Sequence, residues 1–222
     1  MPECFRRDFA GAEIPAANDR LAELVRRAPD RLAGFGTVHP FDGDKAIREA
    51  ERCFDALGMR GLKLHPWLQG FPALVAPEVH DICALCGEHG KPILVHDGTP
   101  NVSMPSQVGL LAARHSETRF ILGHGGLMHL WREAAEVAAT LPNVYITLCG
   151  PHPAALKHIY RTVPVERILW GTDHGISFVN MVSYRRRLID LLGLDVKERR
   201  AILGENVATL LGWRPQSRSP EP

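Results

Sequence analysis

Short apolar runs alternate along the chain with longer amphipathic stretches. Six runs are almost continuously apolar, which is typical of strands buried on both faces of a parallel sheet. The predicted strands are 34–39, 61–65, 92–96, 119–124, 143–148 and 167–172. Their starts lie about 25–30 residues apart, which is the spacing of repeated βα units. The pattern therefore predicts an α/β protein with a mainly parallel sheet.

The stretches between these runs have helical periodicity. In 44–57 the apolar residues form one stripe, which comprises Ala46, Ile47, Ala50, Cys53, Phe54 and Leu57. A stripe of this kind is expected of a helix that packs on a sheet. The other predicted helices are about 18–27, 77–89, 105–115, 130–141, 154–162, 181–192 and 196–211.

The polar residues at the strand ends favour one α/β architecture over another. A doubly wound sheet usually has a glycine-rich phosphate loop after a strand, and no such sequence occurs here. Instead, strand after strand ends in a polar residue: His39, His65, His96, His124 and Asp173. Five strand ends converge on one mouth only if the strands curl, so a (β/α)8 barrel is predicted.

Composition narrows the function. The 222 residues include 26 Lys and Arg against 25 Asp and Glu, so no net field attracts nucleic acid or an anionic membrane. No apolar run approaches the roughly 20 residues of a membrane span, and the first residues do not resemble a signal peptide. Five cysteines in a chain of this length do not indicate a disulfide framework. We therefore expect a cytoplasmic protein that acts on a small molecule.

Three strand-end residues have the chemistry of metal ligands. Two imidazoles and a carboxylate, those of His96, His124 and Asp173, suit Zn²⁺ or another first-row divalent metal. The alternative is that each residue only caps its strand end by hydrogen bonding. Glycines that would let a substrate or metal approach the backbone follow both histidines: Gly98, Gly125 and Gly126.

A second group of candidates follows the strand 61–65. Strand alternation puts Lys63 and His65 on the barrel interior, and Trp67 follows as a residue that lines the pocket or packs under a loop. A buried ammonium needs a partner. Lys63 is therefore either a group that faces substrate or metal, or a member of a salt bridge in the barrel floor.

Other conspicuous residues have simpler interpretations. Cys83 and Cys86 fall in a predicted helix without a second cysteine pair, and they are expected in the core. The basic run 185–187 is expected to be a solvated helix face. His152 and His174 lie near strand ends and are reserve candidates for the site.

Six motifs in register carry a family resemblance: GFGTVHP at 34–40, GLKLHP at 61–66, PILVHDG at 92–98, ILGHGG at 121–126, ILWGTD at 168–173 and ILGENVATLLGW at 202–213. Their order and spacing resemble the metal-dependent amidohydrolase-related family, which includes decarboxylases of the aminocarboxymuconate-semialdehyde type. The resemblance covers roughly residues 20–213. It implies a (β/α)8 barrel with a metal at the carboxyl-terminal mouth.

The resemblance also assigns roles to individual residues. It implies that His96 is a metal ligand and that His124 is the catalytic acid or base, or a further ligand. It implies that Asp173, at the end of the last barrel strand, binds metal or positions and deprotonates the attacking water. Zinc is the expected metal, with manganese or magnesium as alternatives, and Lys63, His65 and Trp67 are expected to bind the substrate.

The chain departs from this family at its start. The family begins with a strand that carries an HxH or ExH pair, and this sequence contains no HxH. With Asp173 at strand eight, the six runs correspond to strands three to eight. Two strands, about 50–60 residues at usual unit lengths, are therefore missing from the pattern. We expect an incomplete barrel domain over 1–213 and a disordered tail over 214–222. Open strand edges need cover, so a homo-oligomer is also expected.

Three functions remain open from the sequence. The leading one is a metal-dependent hydrolase that uses metal-activated water on a small carboxylate, amide or lactone. The nearest alternative is a nonoxidative decarboxylase with the same residues, in which His124 or Asp173 protonates the carbon that loses CO₂. The third is an inactive fragment or a partner-dependent subunit, because two secure ligands are too few for a tight zinc site.

Overall fold

The computed structural model describes residues 13–74, 76–174 and 181–213. Its six strands form one parallel sheet in chain order. They are β1 (Phe35–Gly36), β2 (Gly61–Leu64), β3 (Ile93–Val95), β4 (Phe120–Leu122), β5 (Val144–Thr147) and β6 (Ile168–Leu169). Each lies inside a predicted run. Because the strand order never reverses, the sheet is a partial barrel and not a doubly wound sheet.

Helices connect the strands and follow the last one. They are α1 (Ile14–Arg27), α2 (Asp44–Asp55), α3 (Pro66–Gln69), α4 (Glu78–Glu88), α5 (Pro105–Arg114), α6 (Trp131–Thr140), α7 (Pro153–Thr162), α8 (Met181–Asp190), α9 (Val196–Arg200) and α10 (Asn206–Leu210). The predicted helices are present with shifted ends, and α1 begins four residues earlier than expected. The helix predicted over 196–211 contains a π-helical stretch, Ala201–Glu205, between α9 and α10.

Helix α3 is absent from the sequence prediction because four residues are too few to show a helical period. Local chemistry still defines it. Pro66 occupies the first helical position, and the His65 Nδ1 accepts a hydrogen bond from the Leu68 N–H at 3.3 Å. Gly70 ends the helix with a φ of +76°, a left-handed conformation that glycine adopts without strain.

Strand register separates the two faces of the sheet. Lys63 of β2 pairs with Leu94 of β3, which aligns with Ile121 of β4 and Tyr145 of β5. Leu94, Ile121 and Tyr145 pack in a small inner cluster, while alternate strand residues join the larger core beneath the helices. The register therefore places Lys63 on the inner face, in agreement with the prediction from strand alternation.

The C-terminal helix covers part of this inner face. Leu210 of α10 is buried against the inner cluster, and the Arg119 Nη1 donates to the Leu210 carbonyl at 2.9 Å. The Trp213 Nε1 donates to the Pro29 carbonyl at 3.3 Å, which links the end of α10 to the end of α1. Within the described residues, β1 and β6 are the two edges of the sheet and each pairs with one neighbour.

Three further expectations concern the paired cysteines, the C-terminal tail and membrane-spanning helices. Cys83 and Cys86 are completely buried in the core, as predicted. The predicted tail 214–222 lies outside the described residues. Over the described ranges, none of the helices combines the length and apolar character that crossing a membrane requires.

Candidate active site at the carboxyl ends of the strands

Three histidines from neighbouring strand ends meet at one edge of the sheet. The rings of His65 and His96 are stacked with centroids 3.8 Å apart, and the His96 and His124 rings meet at 67° with centroids 4.4 Å apart. They follow β2, β3 and β4, whose carboxyl ends point the same way because the strands are parallel. The convergence predicted from the sequence is therefore present for these three residues.

His65 is committed to local structure as well as to the cluster. Its Nδ1 caps α3, and its backbone N–H donates to the Gln69 Oε1 at 2.6 Å. The Gln69 amide in turn donates to the Val38 carbonyl at 2.9 Å. Trp67 lies beside His65 with ring centroids 6.3 Å apart, and half of its surface is exposed. Of these two candidate substrate residues, Trp67 thus lies on the solvent side of the cluster, whereas His65 is buried.

Asp97 holds the loop that carries His124. Its buried carboxylate accepts the backbone N–H of His124 on one oxygen and that of Gly126 on the other, both at 2.6 Å. Burial raises the Asp97 pKa to about 6, opposed by the two backbone donors and by Lys63. Asp97 is not among the candidates predicted from the sequence. The available signal was an acidic residue directly after a buried strand and before a glycine.

The glycines after the histidines lie in tight contacts between loops that leave no room for a side chain. A Cβ on Gly125 would lie 2.7 Å from the Thr147 carbonyl oxygen, and one on Gly126 would lie 2.3 Å from the Leu130 carbonyl. A Cβ on Gly98 would approach Gly126 at 2.8 Å. All three have positive φ. Tight contacts between loops therefore require glycine at all three positions, and the expectation that they also admit a substrate or metal stays a prediction.

The thiol of Cys149 contacts the Nδ1 of His124. Cys149, just after β5, places its Sγ 3.5 Å from the His124 Nδ1 and 2.9 Å from the Gly123 carbonyl oxygen. Cys149 is 4% exposed and His124 is 8% exposed. Burial raises the Cys149 pKa, so the thiol is protonated at neutral pH. This contact was also missed, since a lone cysteine after a strand gives no signal in sequence.

Lys63 and Asp173 are the charged members of the site. Burial lowers the Lys63 pKa to about 8, and the nearby acidic groups of Asp97, Cys149 and Asp173 act in the opposite direction. The ammonium therefore faces acidic groups, and it lies near the inner side of Gly123, 3.4 Å from an ideal Cβ there. Asp173 is partly buried and has a φ of +54°, a costly conformation for a residue with a side chain.

Arg185 does not belong to a solvated face, in contrast to the prediction for 185–187. It is partly buried, and no hydrogen-bond partner for its buried Nε lies in the described part of the chain. Its charge adds to the lowering of the His124 pKa and partly offsets the burial that raises the Cys149 pKa, so the guanidinium lies near these two residues. Arg187 is exposed, as predicted. Helical periodicity separates the neighbouring arginines onto different faces.

The three clustered imidazoles are neutral at physiological pH. Burial lowers the His65 pKa to about 4 and the His124 pKa to about 3, with the charge of Lys63 as the next cause for both. Burial also lowers the His96 pKa well below its usual range, with contributions from the other two histidines. A neutral imidazole is the form that accepts a proton or binds a metal.

The donor types fit a divalent metal, but the described donors do not complete a site. Within residues 13–74, 76–174 and 181–213, no group of three or more His, Cys, Asp or Glu side chains is arranged to hold a metal ion. His96 and His124 are imidazole donors of the expected kind, whereas His65 uses its Nδ1 on α3. A metal at this edge would require ligands in addition to the described ones.

Three further histidines have no recorded contact with the cluster in the described residues. The His39 Nε2 is 2.9 Å from the Gln69 carbonyl oxygen, and its ring packs on Phe41. The His152 ring packs edge-on against Trp131, with centroids 5.7 Å apart. His174 is exposed. The prediction that His39 converges with the other strand-end histidines is wrong, because its strand end turns towards α3.

Solved structures with the same fold include three decarboxylases. 2,6-Dihydroxybenzoate decarboxylase complexed with 2,6-dihydroxybenzoate gives a TM-score of 0.73 at 19% identity, over 96% of this chain and 81% of that one. 5-Carboxyvanillate decarboxylase from Sphingomonas paucimobilis gives 0.75 at 18%, over 95% and 76%. Dihydroxybenzoic acid decarboxylase from Polaromonas sp. JS666, with bound manganese and the inhibitor 2-nitroresorcinol, gives 0.71 at 17%, over 93% and 77%.

Sequence comparison gives the family. No curated protein matches the chain in a sequence search. The sequence model of the amidohydrolase family, however, matches residues 4–213. This match includes all six strands and the histidine cluster. Together with the ordered parallel sheet, it establishes that the chain belongs to the amidohydrolase family.

Proposed function

We propose that the chain carries the catalytic residues of a nonoxidative decarboxylase that acts on a small carboxylate. The observation that carries the proposal is the combination of two cationic side chains, Lys63 and Arg185, with neutral imidazoles at one edge of the sheet. A guanidinium whose Nε has no partner among the described residues is suited to a carboxylate, which arginine binds with two parallel hydrogen bonds. The neutral imidazoles supply proton transfer beside it.

The reaction requires a proton at the carbon that loses CO₂. When the bond between the carboxylate and its carbon breaks, the electron pair stays on that carbon, and a proton must replace the departing CO₂. His124 and Asp173 are the proposed groups for this transfer. Because burial keeps His124 neutral, it must first take a proton, for which a hydroxyl of the substrate is a suitable source. Lys63 and Arg185 offset the negative charge of the substrate.

The comparisons support this choice without deciding it. Three structures with the same fold are decarboxylases of hydroxylated aromatic acids, and one of them contains manganese. At 17–19% identity these likenesses concern the fold. We propose that the substrate of this chain is a small aromatic or unsaturated carboxylate. We also propose dependence on a divalent metal, manganese or zinc, with ligands beyond those described.

Hydrolysis of a small amide or lactone is the second candidate. The family assignment favours it, and so does the position of Asp173 directly after the last strand of the sheet. A carboxylate there is suited to deprotonating an attacking water. The two reactions differ in the fate of the carboxyl carbon, which makes them separable by product analysis.

The test is turnover of defined compounds by the purified chain with added manganese or zinc. 2,6-Dihydroxybenzoate and 5-carboxyvanillate probe decarboxylation, and a panel of small lactones and aryl amides probes hydrolysis. We expect CO₂ release that is abolished in Asp173→Asn and His124→Asn and is retained in the exposed control Arg187→Gln. Acid release from lactones or amides without CO₂ would replace the proposal with hydrolysis. The absence of turnover on both panels would favour an inactive or partner-dependent chain.

A further inference from the structure

A closed set of hydrogen bonds surrounds the carbonyl oxygen of Gly123, the residue before His124. The Thr147 Oγ1 donates to it at 2.5 Å, and the Cys149 Sγ approaches it at 2.9 Å. The same Sγ lies 3.5 Å from the His124 Nδ1 and 3.5 Å from the Thr147 Oγ1, whose own hydrogen is directed at the closer Gly123 carbonyl. A carbonyl oxygen has two lone pairs and no hydrogen, so it can only accept hydrogen bonds, at most two. Both contacts are therefore hydrogen bonds only if the Thr147 hydroxyl and the Cys149 thiol each donate their hydrogen to it.

The single hydrogen of the Cys149 thiol is therefore used on the Gly123 carbonyl. If the thiol instead donated to the His124 Nδ1, a sulfur lone pair would face the carbonyl oxygen at 2.9 Å, which is electrostatically unfavourable. With its hydrogen directed at the carbonyl, sulfur can act towards the imidazole only as a weak acceptor. The His124 Nδ1 must then be the donor in the 3.5 Å contact.

We infer that Cys149 is a positioning residue that holds neutral His124 as the tautomer with hydrogen on Nδ1 and a lone pair on Nε2. Within the described ranges no protein hydrogen bond involves the His124 Nε2, so the contact with Cys149 is the hydrogen bond of the ring there that selects the tautomer. Both side chains are more than nine-tenths buried, which limits the access of bulk water. Asp97 contacts the backbone of the loop and not the ring.

The tautomer determines what His124 can do first. A bare Nε2 can accept a proton or bind a metal, and it cannot open a reaction as a proton donor. Under the proposed function, His124 therefore begins as the acceptor of a substrate proton and delivers that proton to carbon afterwards. This consequence rests on the proposed function, whereas the tautomer is a property of the free protein.

The test is the ¹⁵N spectrum of the imidazoles in the metal-free protein without substrate. In a neutral ring, the nitrogen with hydrogen and the bare nitrogen have well separated chemical shifts, and long-range ¹H–¹⁵N correlations identify each. The His124 signals are those that disappear in His124→Asn. We expect hydrogen on Nδ1 in the unmodified protein. Hydrogen on Nε2 would overturn the inference, whatever the enzyme assays give.

Variants separate positioning from packing. Cys149→Ala removes the acceptor and is expected to give a mixture of His124 tautomers, while Cys149→Ser restores the Nδ1–H form because a hydroxyl can also donate to Gly123 and accept from His124. The control is Cys86→Ala, a change at an equally buried cysteine in the helix-side core. An unchanged His124 spectrum in Cys149→Ala would also overturn the inference. If that variant does not fold, the unmodified protein and Cys149→Ser still decide.

Discussion

The ring of His65 stacks on the ring of His96, with centroids 3.8 Å apart and planes inclined by 14°. The lone pairs of an imidazole lie in the plane of its ring, so two parallel stacked rings direct them along separate parallel planes. Zinc needs its nitrogen ligands at about 2.0–2.1 Å and in tetrahedral directions. One ion cannot satisfy both rings in this arrangement. His65 is therefore a neighbour of the candidate ligand His96 and not a second ligand beside it.

We expect His65→Phe to cost modest stability and to preserve the stack. The phenyl ring can lie on His96, but the cap on the Leu68 N–H is lost, and a lost helix cap costs about 1 kcal/mol. Urea unfolding measures the change. His65→Ala, which loses the cap and the stack together, should cost more. If the two variants are equally stable, the stacked ring contributes nothing and this interpretation is wrong.

Asp97→Asn should destabilise the loop of His124 strongly. The carboxylate accepts two backbone N–H groups, whereas an amide offers one oxygen and turns an NH₂ donor towards the other N–H. A hydrogen bond to a charged group contributes about 1.5–3 kcal/mol, and we expect a loss of that order in the free energy of unfolding. The exposed control Asp55→Asn should change it by less than about 0.5 kcal/mol. Equal effects of the two changes would contradict the proposed role.

Sequence patterning predicts the order and approximate position of the six strands, because burial on both faces of a sheet leaves a continuous apolar run, but it overestimates their length by up to three residues at the carboxyl end. It places His65, His96 and His124 together, since parallel order brings neighbouring carboxyl ends to one edge. Sequence patterning does not predict the position of a side chain that depends on a single tertiary contact. His39 turns to the Gln69 carbonyl, and the Cys149 thiol meets His124. Arg185 differs from Arg187 only in which side of α8 it occupies, and a basic run does not show this.

Acid should destabilise the protein through a histidine pair remote from the site. The His80 Nδ1 lies 2.8 Å from the His115 Nε2, and burial, then His80, lowers the His115 pKa. Its folded pKa lies below the unfolded value of about 6.5. The unfolded chain therefore binds the proton more readily. Stability that is present above the unfolded pKa is lost as the pH falls from that pKa towards the lower folded pKa of His115.

Urea unfolding at pH 8 and pH 5.5 measures this pH dependence. His115→Gln should reduce the loss of stability between the two conditions, without removing it, because the buried site histidines have lowered pKa values as well. The exposed control His174→Asn should leave the difference unchanged. The same loss in His115→Gln as in the unmodified protein would exclude the pair as a contributor.

Arg185→Gln should weaken the binding of carboxylates. The guanidinium has a buried Nε without a partner in the described residues, and a charge-assisted bond contributes about 1.5–3 kcal/mol. We expect benzoate, used as a probe in calorimetry, to bind at least about tenfold more weakly, since 1.4 kcal/mol corresponds to a factor of ten. Benzamide binding should change little, and Arg187→Gln should behave like the unmodified protein. Equal losses for benzoate and benzamide would indicate a packing defect instead.

Metal content per chain tests whether the described residues suffice for a metal centre. Since no group of three donors is arranged for an ion in the described ranges, we expect weak binding that supports turnover only with metal in the assay solution, so that the chain loaded with zinc or manganese loses most of the ion during gel filtration. Two imidazoles alone do not provide the three protein ligands of a catalytic zinc site. His96→Ala should lower the residual binding further, and the control His152→Ala, outside the cluster, should not. Retention of one ion per chain that is lost in His96→Ala would contradict the expected weak binding. It would mean that ligands outside the described residues complete the site, and that the chain assembles its metal centre unaided.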